Sequence, residues 1–166
     1  VNVSVSGTEL SIETISLETP SIERNQVVIR GIDTTITLNI DDLTELDIVE
    51  EYSSFQNQFG NWRGQGIYRA VKISDLLDLV GGINQDYIIR VTANDGFSQD
   101  FCYCNVYPNV SWYQYQGDMT LAYMYNGTTV PEWESGLRIV MIPEDGAYSN
   151  NDCVMTSALG MGCSVY

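Results

Sequence analysis

Short runs in which polar and apolar residues alternate are the feature that most restricts the fold of this sequence. In the run 34–40, Ile36, Leu38 and Ile40 alternate with threonine and asparagine. Because side chains alternate between the two faces of a β-strand, this period of two indicates a half-buried strand. Turn-forming residues at Asn94-Asp95-Gly96 and Asn126-Gly127 separate further runs. The strands predicted on this basis cover residues 1–18, 27–32, 34–40, 48–59, 87–93, 97–106, 119–125 and 137–142.

Two short segments predict helices instead. The segment 41–46 begins with acidic residues, which suit the positive end of a helix dipole. The segment 74–80 has Ser74 in position to cap its start and Gly81-Gly82 to end it. Strands and helices together predict an α+β fold that is β-dominated, with mixed sheets and a few short helices. We predict a single β-rich domain over residues 21–166, preceded by an N-terminal extended strand segment over 1–20.

The composition excludes several classes of partner and mechanism. The chain has 22 acidic and 7 basic residues and a net charge of -15, so its surface repels nucleic acid and anionic lipid. Calcium is the ligand that such a surface attracts, although solubility alone also explains the charge. The chain has no histidine, which removes Ser-His and Cys-His mechanisms. No run approaches the ~18 apolar residues of a membrane span, so we expect no membrane insertion within this segment.

Four cysteines, Cys102, Cys104, Cys153 and Cys163, predict two disulfides in an exported chain. Cys102 and Cys104 are two residues apart, so on a strand they would point to the same face. That arrangement keeps them from bonding to each other, and we expect each to pair within 153–163. Free or redox-active thiols and a four-thiolate metal site are the alternatives, but the spacing lacks the paired knuckles of a zinc ribbon.

Three sequons support export. Asn2, Asn109 and Asn126 each begin an acceptor sequence for N-glycosylation. The sequence begins at Val1 rather than methionine, which is typical of a mature or trimmed end. With the cysteines, these features predict an extracellular or cell-surface location.

An aromatic stretch between residues 103 and 115 is the most unusual local feature. Exposed tyrosine and tryptophan stack on sugars or anchor protein interfaces. A half-buried sheet face is the alternative explanation. The candidate binding residues in this stretch are Tyr107, Trp112, Tyr113 and Tyr115, with Tyr103 beside them.

Several segments carry a family resemblance when they are taken in order. The segments 62–67 and 73–77 resemble a "W-x-G-V-x-L-x-D-L-L" run, and 91–97 resembles an "A-x-D-G-Y" hairpin. The segments 121–128 and 136–143 resemble "L-A-x-x-x-N-G … G-x-L-R-L-V-x-P", and 37–43 resembles a strand that leads into a first helix. The ordered set, over residues 27–143, resembles the molybdopterin-binding domain of the sulfite-oxidase family of oxidoreductases. This resemblance implies a mixed, sheet-dominated fold with a few short helices.

Departures from the family pattern argue against its chemistry. The family holds molybdenum with one cysteine between the first helix and the W-x-G run, and this interval contains 50–55 but no cysteine. The family's pterin-binding histidine has no counterpart, and Arg138 matches a framework position while Arg63 lies in a predicted loop. The chain also ends at Tyr166, before the family's final strand, and the unpaired edge this implies invites strand addition, with residues 1–20 as a candidate donor strand.

The sequence therefore predicts a protein that is not an enzyme and carries no cofactor, apart from calcium as a candidate ligand. Its predicted role is a non-catalytic structural or assembly module of the cell surface, such as a subunit of a surface layer or fibre. Its predicted partners are further copies of itself or other surface proteins. One alternative is a glycan- or protein-binding module that uses the exposed aromatic residues, and a second is a thiol or redox protein.

Overall fold

The structure is a computed structural model that describes residues 1–6 and 25–157. Ten strands and five short helices form in these ranges. The strands are β1 (Asn2–Ser6), β2 (Gln26–Arg30), β3 (Thr35–Asn39), β4 (Ile48–Gln56), β5 (Trp62–Lys72), β6 (Ile88–Thr92), β7 (Ser98–Cys102), β8 (Asp118–Tyr125), β9 (Thr128–Thr129) and β10 (Arg138–Ile142). The helices are α1 (Ile40–Thr44), α2 (Ile73–Asp78), α3 (Tyr103–Val106), α4 (Val110–Gln116) and α5 (Asn150–Met155).

The first sheet has the order β3-β2-β1-β6-β7. Strand β1 lies at its centre, parallel to β2 and antiparallel to β6, and Val3 is fully buried there. Residues 2–6 are thus an internal strand of the chain's own sheet. The donor role of residues 1–20 stays a prediction, and residues 7–20 lie outside the described ranges.

The second sheet has the order β10-β8-β5-β4, with β9 paired to β8. A segment after β10 covers the outer edge of β4: the Tyr148 N–H donates to the Ser54 carbonyl at 2.8 Å, and the Gln56 N–H donates to the Tyr148 carbonyl at 3.1 Å. The buried Ser53 hydroxyl donates to the Met141 carbonyl on β10 at 2.7 Å. The edge of β4 is therefore protected over these residues.

One hydrophobic cluster joins the two sheets. It contains Val27 and Ile89 of the first sheet, Leu121 and Ile139 of the second, and Leu76 of α2. Each fully buried aliphatic side chain contributes roughly 1.5–3 kcal/mol to folding. None of the helices in the described ranges is long and apolar enough to cross a membrane.

The predicted fold class is confirmed: the molecule is β-dominated, with two sheets and a few short helices. Three local predictions are wrong. Arg63 lies in β5 and not in a loop. The strand predicted over 97–106 ends at Cys102, because Asn105 caps a helix that begins at Tyr103. Ser74 does not cap α2: Lys72 is the N-cap residue, and the Ser74 hydroxyl donates to Asp75 Oδ1 at 3.1 Å.

Candidate functional site

A cavity of about 420 Å³ at one end of the second sheet is the strongest candidate for a binding site. The ends of β4, β5, β8 and β10 converge there with the loop that follows β9. We call this cavity the arginine cavity. Its lining residues are Phe55, Asn57, Arg63, Gly64, Tyr68, Tyr125, Trp133, Ser135 and Arg138.

Three aromatic rings pack together in the lining. The rings of Tyr125 and Trp133 stack with centroids 5.7 Å apart, and Tyr68 lies 5.0 Å from Tyr125 and 6.1 Å from Trp133. Two tyrosine hydroxyls are fixed by the backbone of β5: Tyr68 donates to the Gly64 carbonyl at 2.6 Å and Tyr125 to the Gln65 carbonyl at 2.9 Å. The lining is therefore preorganised, because rings held this way do not need to order when a ligand arrives.

Gly64 lets the backbone of β5 approach the rings closely. Its φ of +61° lies in the left-handed region, which disfavours residues with a Cβ. A Cβ at this position would lie 2.5 Å from both Phe55 Cε1 and Tyr68 Oη. Glycine is therefore required here both for its backbone conformation and for space.

Arg138 places a positive charge in this cavity without an internal partner. Its Nε is buried, and no described residue accepts a hydrogen bond from it. The guanidinium carbon lies 5.2 Å from the centre of the Phe55 ring, in cation–π distance. Burial lowers the pKa of Arg138, although arginine stays protonated at neutral pH. A buried N–H without an acceptor is costly, and Arg138 is half-buried in the cavity lining, so an anion in the cavity would stabilise its charge.

Apart from Arg63 and Arg138, three of the four described lysine and arginine side chains form ion pairs, and the fourth, Arg30, is exposed. Arg69 pairs with Glu50, Lys72 with Asp118 at 3.0 Å, and Arg90 with Asp100 at 2.7 Å. Within the described ranges, neither Arg63 nor Arg138 forms an ion pair, and both line the arginine cavity. The few basic residues that are not neutralised in this acidic chain therefore include two at one site.

The lining has the chemistry of a binding site rather than of a proton-transfer site. Burial is the main reason that the pKa of Tyr68 rises to about 12, so its phenol keeps its proton at neutral pH. The described lining contains no carboxylate, imidazole or thiol that could act as a base or nucleophile. Ser135 has no base beside it in this set and is suited to donate or accept a hydrogen bond.

A second cavity of about 550 Å³ adjoins the first. It shares Ser135 and Arg138 with the arginine cavity and extends to Asn94 and Phe97 beside the β6–β7 turn. Glu134 also lines this second cavity and is the acidic residue nearest to Arg138 in the sequence. Arg138 therefore lies between two adjoining spaces, and a ligand larger than one ring can extend past it.

The described cysteines do not confirm the predicted disulfides. Cys102, Cys104 and Cys153 are not joined to one another, and Cys163 lies outside the described ranges. Cys102 and Cys104 do not share a strand face, because Cys102 ends β7 and Cys104 lies in α3. Burial raises the pKa of the Cys102 thiol, and its Sγ lies 3.3 Å from Asn105 Oδ1. A raised pKa reduces the thiolate fraction and with it the reactivity that a redox role needs.

The aromatic stretch lies on helices, so its interpretation as a sheet face is wrong. Tyr103 and Tyr107 stack on each other at 4.8 Å, and the Tyr107 hydroxyl donates to Asp78 Oδ1 at 3.1 Å. Tyr113 is 45% exposed and lines a different cavity, beside Lys72 and Asp118. Trp112 and Tyr115 are half-buried on α4. The structure therefore does not gather Tyr107, Trp112, Tyr113 and Tyr115 into one surface, and their binding role stays a prediction.

The sequons differ in their surroundings. Asn109 and Asn126 are exposed, and Asn126 Oδ1 accepts a hydrogen bond from the Ile67 N–H at 2.9 Å. Asn2 is half-buried in the central strand β1, with its Oδ1 buried, which is a poor position for a sugar that must extend into solvent. Among the described residues, no group of three or more acidic or cysteine side chains could hold a metal ion.

The residues present do not fit the cofactor that the family resemblance implies. The interval between α1 and the W-x-G run of β5 supplies no thiolate, and none of the described cysteines lines the arginine cavity. The chain matches no protein-family model, and no curated protein matches it significantly. The site must therefore be interpreted from its own geometry.

Arg63 and Arg138 line the cavity but are not among the site residues predicted from the sequence. One signal was available: Arg138 begins a strand whose other residues, Ile139–Ile142, are all apolar and buried. A charge in such a strand is rare unless it is paired or functional. Arg63 carried no comparable signal, because its position depends on the pairing of β4 with β5.

Proposed function

We propose that this chain is a non-catalytic binding module whose arginine cavity takes a ligand that combines a carboxylate with a ring. The unpartnered, buried Nε of Arg138 is the observation that carries this proposal. An extracellular or cell-surface location is part of the proposal and is supported by the exposed sequons at Asn109 and Asn126.

The carboxylate follows from the geometry of arginine. A guanidinium presents its N–H groups as a planar fork that matches the two oxygens of a carboxylate. Arg138 offers such groups from inside the cavity, and Arg63 adds a second cation at the rim. A hydrogen bond to a charged group contributes about 1.5–3 kcal/mol when it forms in a protein.

The ring follows from the aromatic side chains. Tyr125 and Trp133 supply stacked π faces in the lining, and such faces bind both aromatic rings and the apolar faces of sugars. Two sources share this chemistry: acidic sugars, such as uronic acids, and aromatic carboxylates. A cavity of about 420 Å³ has the size of a small-molecule site.

The acidic surface does not exclude such a ligand. Charges that lie farther away than the Debye length, about 8 Å at physiological ionic strength, are largely screened. The guanidinium of Arg138 is within the cavity, whereas the paired carboxylates Glu50, Asp100 and Asp118 are neutralised by their own partners. Arg138 therefore attracts an anion locally, while Glu134 in the adjoining cavity opposes it.

The experiment is a titration of the purified chain, and calorimetry and tryptophan fluorescence measure the binding. Glucuronate and benzoate are the two probes, and glucose and benzyl alcohol are their neutral counterparts. We expect at least one acid to bind and its neutral counterpart to bind much more weakly. Arg138→Met should lower the affinity for the acid by about 10- to 100-fold. Arg90→Met is the matched control, because it removes the same charge from an exposed pair.

The arms of the titration also name the source of the carboxylate. Binding of glucuronate alone identifies an acidic sugar, and binding of benzoate alone identifies an aromatic acid. Equal binding of acids and neutral counterparts, or unchanged affinity in Arg138→Met, would refute the proposal.

A further inference from the structure

The outer edge of β3 is a strand edge of the first sheet that no described strand covers. Strand β3 pairs with β2 on one side, and no strand of the described ranges pairs with its other side. Its five residues carry no charge, nor do the flanking residues Thr34 and Ile40, in a chain with 22 acidic residues. Edge strands are usually protected by charge, proline or a covering segment, because their open N–H and C=O groups recruit other strands.

The β2–β3 ladder shows which backbone groups of β3 point outward. The Gly31 N–H donates to the Thr34 carbonyl at 2.8 Å, so these two residues form a hydrogen-bonded pair at the hairpin end. Hydrogen-bonded and non-hydrogen-bonded pairs alternate along an antiparallel ladder. From the register, Ile36 and Leu38 bond to β2, and Thr35 and Thr37 direct their backbone groups outward.

The backbone N–H of Asn39 supports this assignment. By the same alternation it also points away from β2, and it donates to Asp42 Oδ2 at 2.8 Å in the capping box of α1. Of the outward-facing residues of β3, Asn39 is therefore already occupied at its N–H. Thr35 and Thr37 keep outward N–H and C=O groups for a new strand.

We propose that two copies of this chain pair through β3, antiparallel, around a two-fold axis at Ile36. In this register Thr35 of each copy lies opposite Thr37 of the other and exchanges two backbone hydrogen bonds with it, four in all. Ile36 lies opposite its own copy in a non-hydrogen-bonded pair, where side chains approach most closely. The two five-stranded sheets then become one sheet of ten strands.

Charge disfavours the neighbouring register that has its axis at Thr37. An axis at Thr37 would place Asp33 of one copy opposite Asp41 of the other, and like charges directly opposite are destabilising. It would also require the N–H of Asn39, which the Asp42 carboxylate occupies. With the axis at Ile36, Asp33 lies opposite Asn39 instead, and the strand is self-complementary, as a two-fold interface requires.

Cysteine cross-linking tests the register directly. Under mild oxidation, Ile36→Cys should form a covalent dimer, because facing Cβ atoms of a non-hydrogen-bonded pair are close enough for a disulfide. Thr37→Cys is the matched control: its partner in this register is Thr35, so it should not cross-link beyond the level of the parent chain. Equal cross-linking of the two variants, or none in Ile36→Cys, would overturn the register.

Sedimentation velocity tests the reversible dimer without a cross-link. Thr37→Pro removes one outward N–H from each copy and leaves the β2 ladder intact, so we expect about 10-fold weaker dimerisation or more. Circular dichroism checks that this variant is folded, and the cross-linking result decides if it is not. A folded Thr37→Pro that dimerises like the parent, or a parent chain that stays monomeric at high concentration, contradicts the proposal.

Discussion

Arg138 has a buried Nε that no described residue accepts a hydrogen bond from. A charge that is buried without an acceptor costs folding free energy, and an apolar side chain of similar length avoids this cost. The contact with the Phe55 ring offsets only part of it, since a cation–π pair is worth about 0.5–2 kcal/mol. Residues that lower stability while lining a cavity are typical of functional sites.

Replacing Arg138 with methionine should therefore separate binding from stability. We expect Arg138→Met to leave the free energy of unfolding unchanged or to raise it by about 1–3 kcal/mol, while binding of the carboxylate ligand is lost. Urea unfolding at pH 7 measures the first quantity and calorimetry the second. Arg90→Met should leave binding unchanged and should alter the free energy of unfolding by less than about 1 kcal/mol, because its pair with Asp100 is exposed. A loss of several kcal/mol in Arg138→Met would show that the side chain serves packing instead.

Two glycines with positive φ allow a comparison that measures the free-energy cost of placing a Cβ against the aromatic rings beside β5. Gly60 (φ +77°) has open space where its Cβ would lie, whereas Gly64 (φ +61°) has Phe55 and Tyr68 at 2.5 Å. We expect Gly60→Ala to cost about 1 kcal/mol, the cost of the backbone conformation alone. Gly64→Ala should cost about 1–3 kcal/mol more, because the rings must move. Denaturant unfolding of both variants gives the difference, and equal values would show that the rings yield freely.

Three tyrosines couple folding to alkaline pH. Burial raises the pKa of Tyr68 and Tyr107 to about 12, and it also raises the pKa of Tyr123. Because these folded-state values lie above the unfolded value of about 10, the unfolded chain loses its protons first. The free energy of unfolding should be insensitive to these groups below pH 10 and should fall between about pH 10 and 12. Urea midpoints across that range test this. The free energy of unfolding of Tyr68→Phe should fall less steeply with pH than that of the parent chain, and identical slopes would contradict the prediction.

At the scale of elements, a buried polar network connects α3, α4 and the end of α5. Asn105 Nδ2 donates to Gln116 Oε1 and to the Thr156 carbonyl, both at 3.0 Å. Gln116 Nε2 donates to the Asn105 carbonyl at 2.7 Å, and Gln116 is fully buried. Each of these short helices is too short to be stable alone, so the network and the packing around it fix their positions.

Removing Gln116 should therefore destabilise the helices strongly. We expect Gln116→Ala to lower the free energy of unfolding by about 2–4 kcal/mol, from a lost side chain and unsatisfied groups on Asn105. Gln114→Ala is the control on the same helix: Gln114 is exposed, so it should change stability by less than about 0.5 kcal/mol. Thermal unfolding compares the two, and similar losses would show that the network contributes little.

The same network explains which elements the sequence predicted and which it did not. Alternation predicted β3, because exposed and half-buried residues alternate along it as the polar and apolar residues do. The segment 103–106 continues the pattern of a strand, yet the hydrogen bond from the Cys102 N–H to Asn105 Oδ1 turns it into a helix. That bond is local, but Asn105 is held in place by tertiary hydrogen bonds to Gln116 and to the Thr156 carbonyl, which a single sequence does not show.

The arginine cavity could not be predicted from the sequence, and the reason is physical. Its residues come from four strands and a loop, and only strand pairing brings Phe55, Arg63 and Arg138 together. Both arginines are visible in the sequence, as a framework position and as part of a predicted loop. The strand register that makes them one site does not follow from the local pattern.

At the scale of the whole molecule, the two proposed surfaces belong to different sheets. The arginine cavity lies at the end of the second sheet, and the β3 edge lies on the first. Variants of one surface therefore leave the other in place: Arg138→Met should still dimerise, and Thr37→Pro should still bind the carboxylate ligand. This independence lets either proposal fail without the other.

Net charge should make dimerisation depend on salt in one direction. Two copies with a charge of -15 each repel one another, while the β3 interface itself contains no ion pair that salt could weaken. Raising the ionic strength from about 0.01 M to 0.15 M shortens the Debye length from about 30 Å to 8 Å and so reduces the repulsion. We expect the dimer to become tighter over this range in sedimentation velocity, and Thr37→Pro to remain mostly monomeric throughout. A dimer that weakens with salt would have to be held by ion pairs, which would exclude the uncharged β3 edge as its interface.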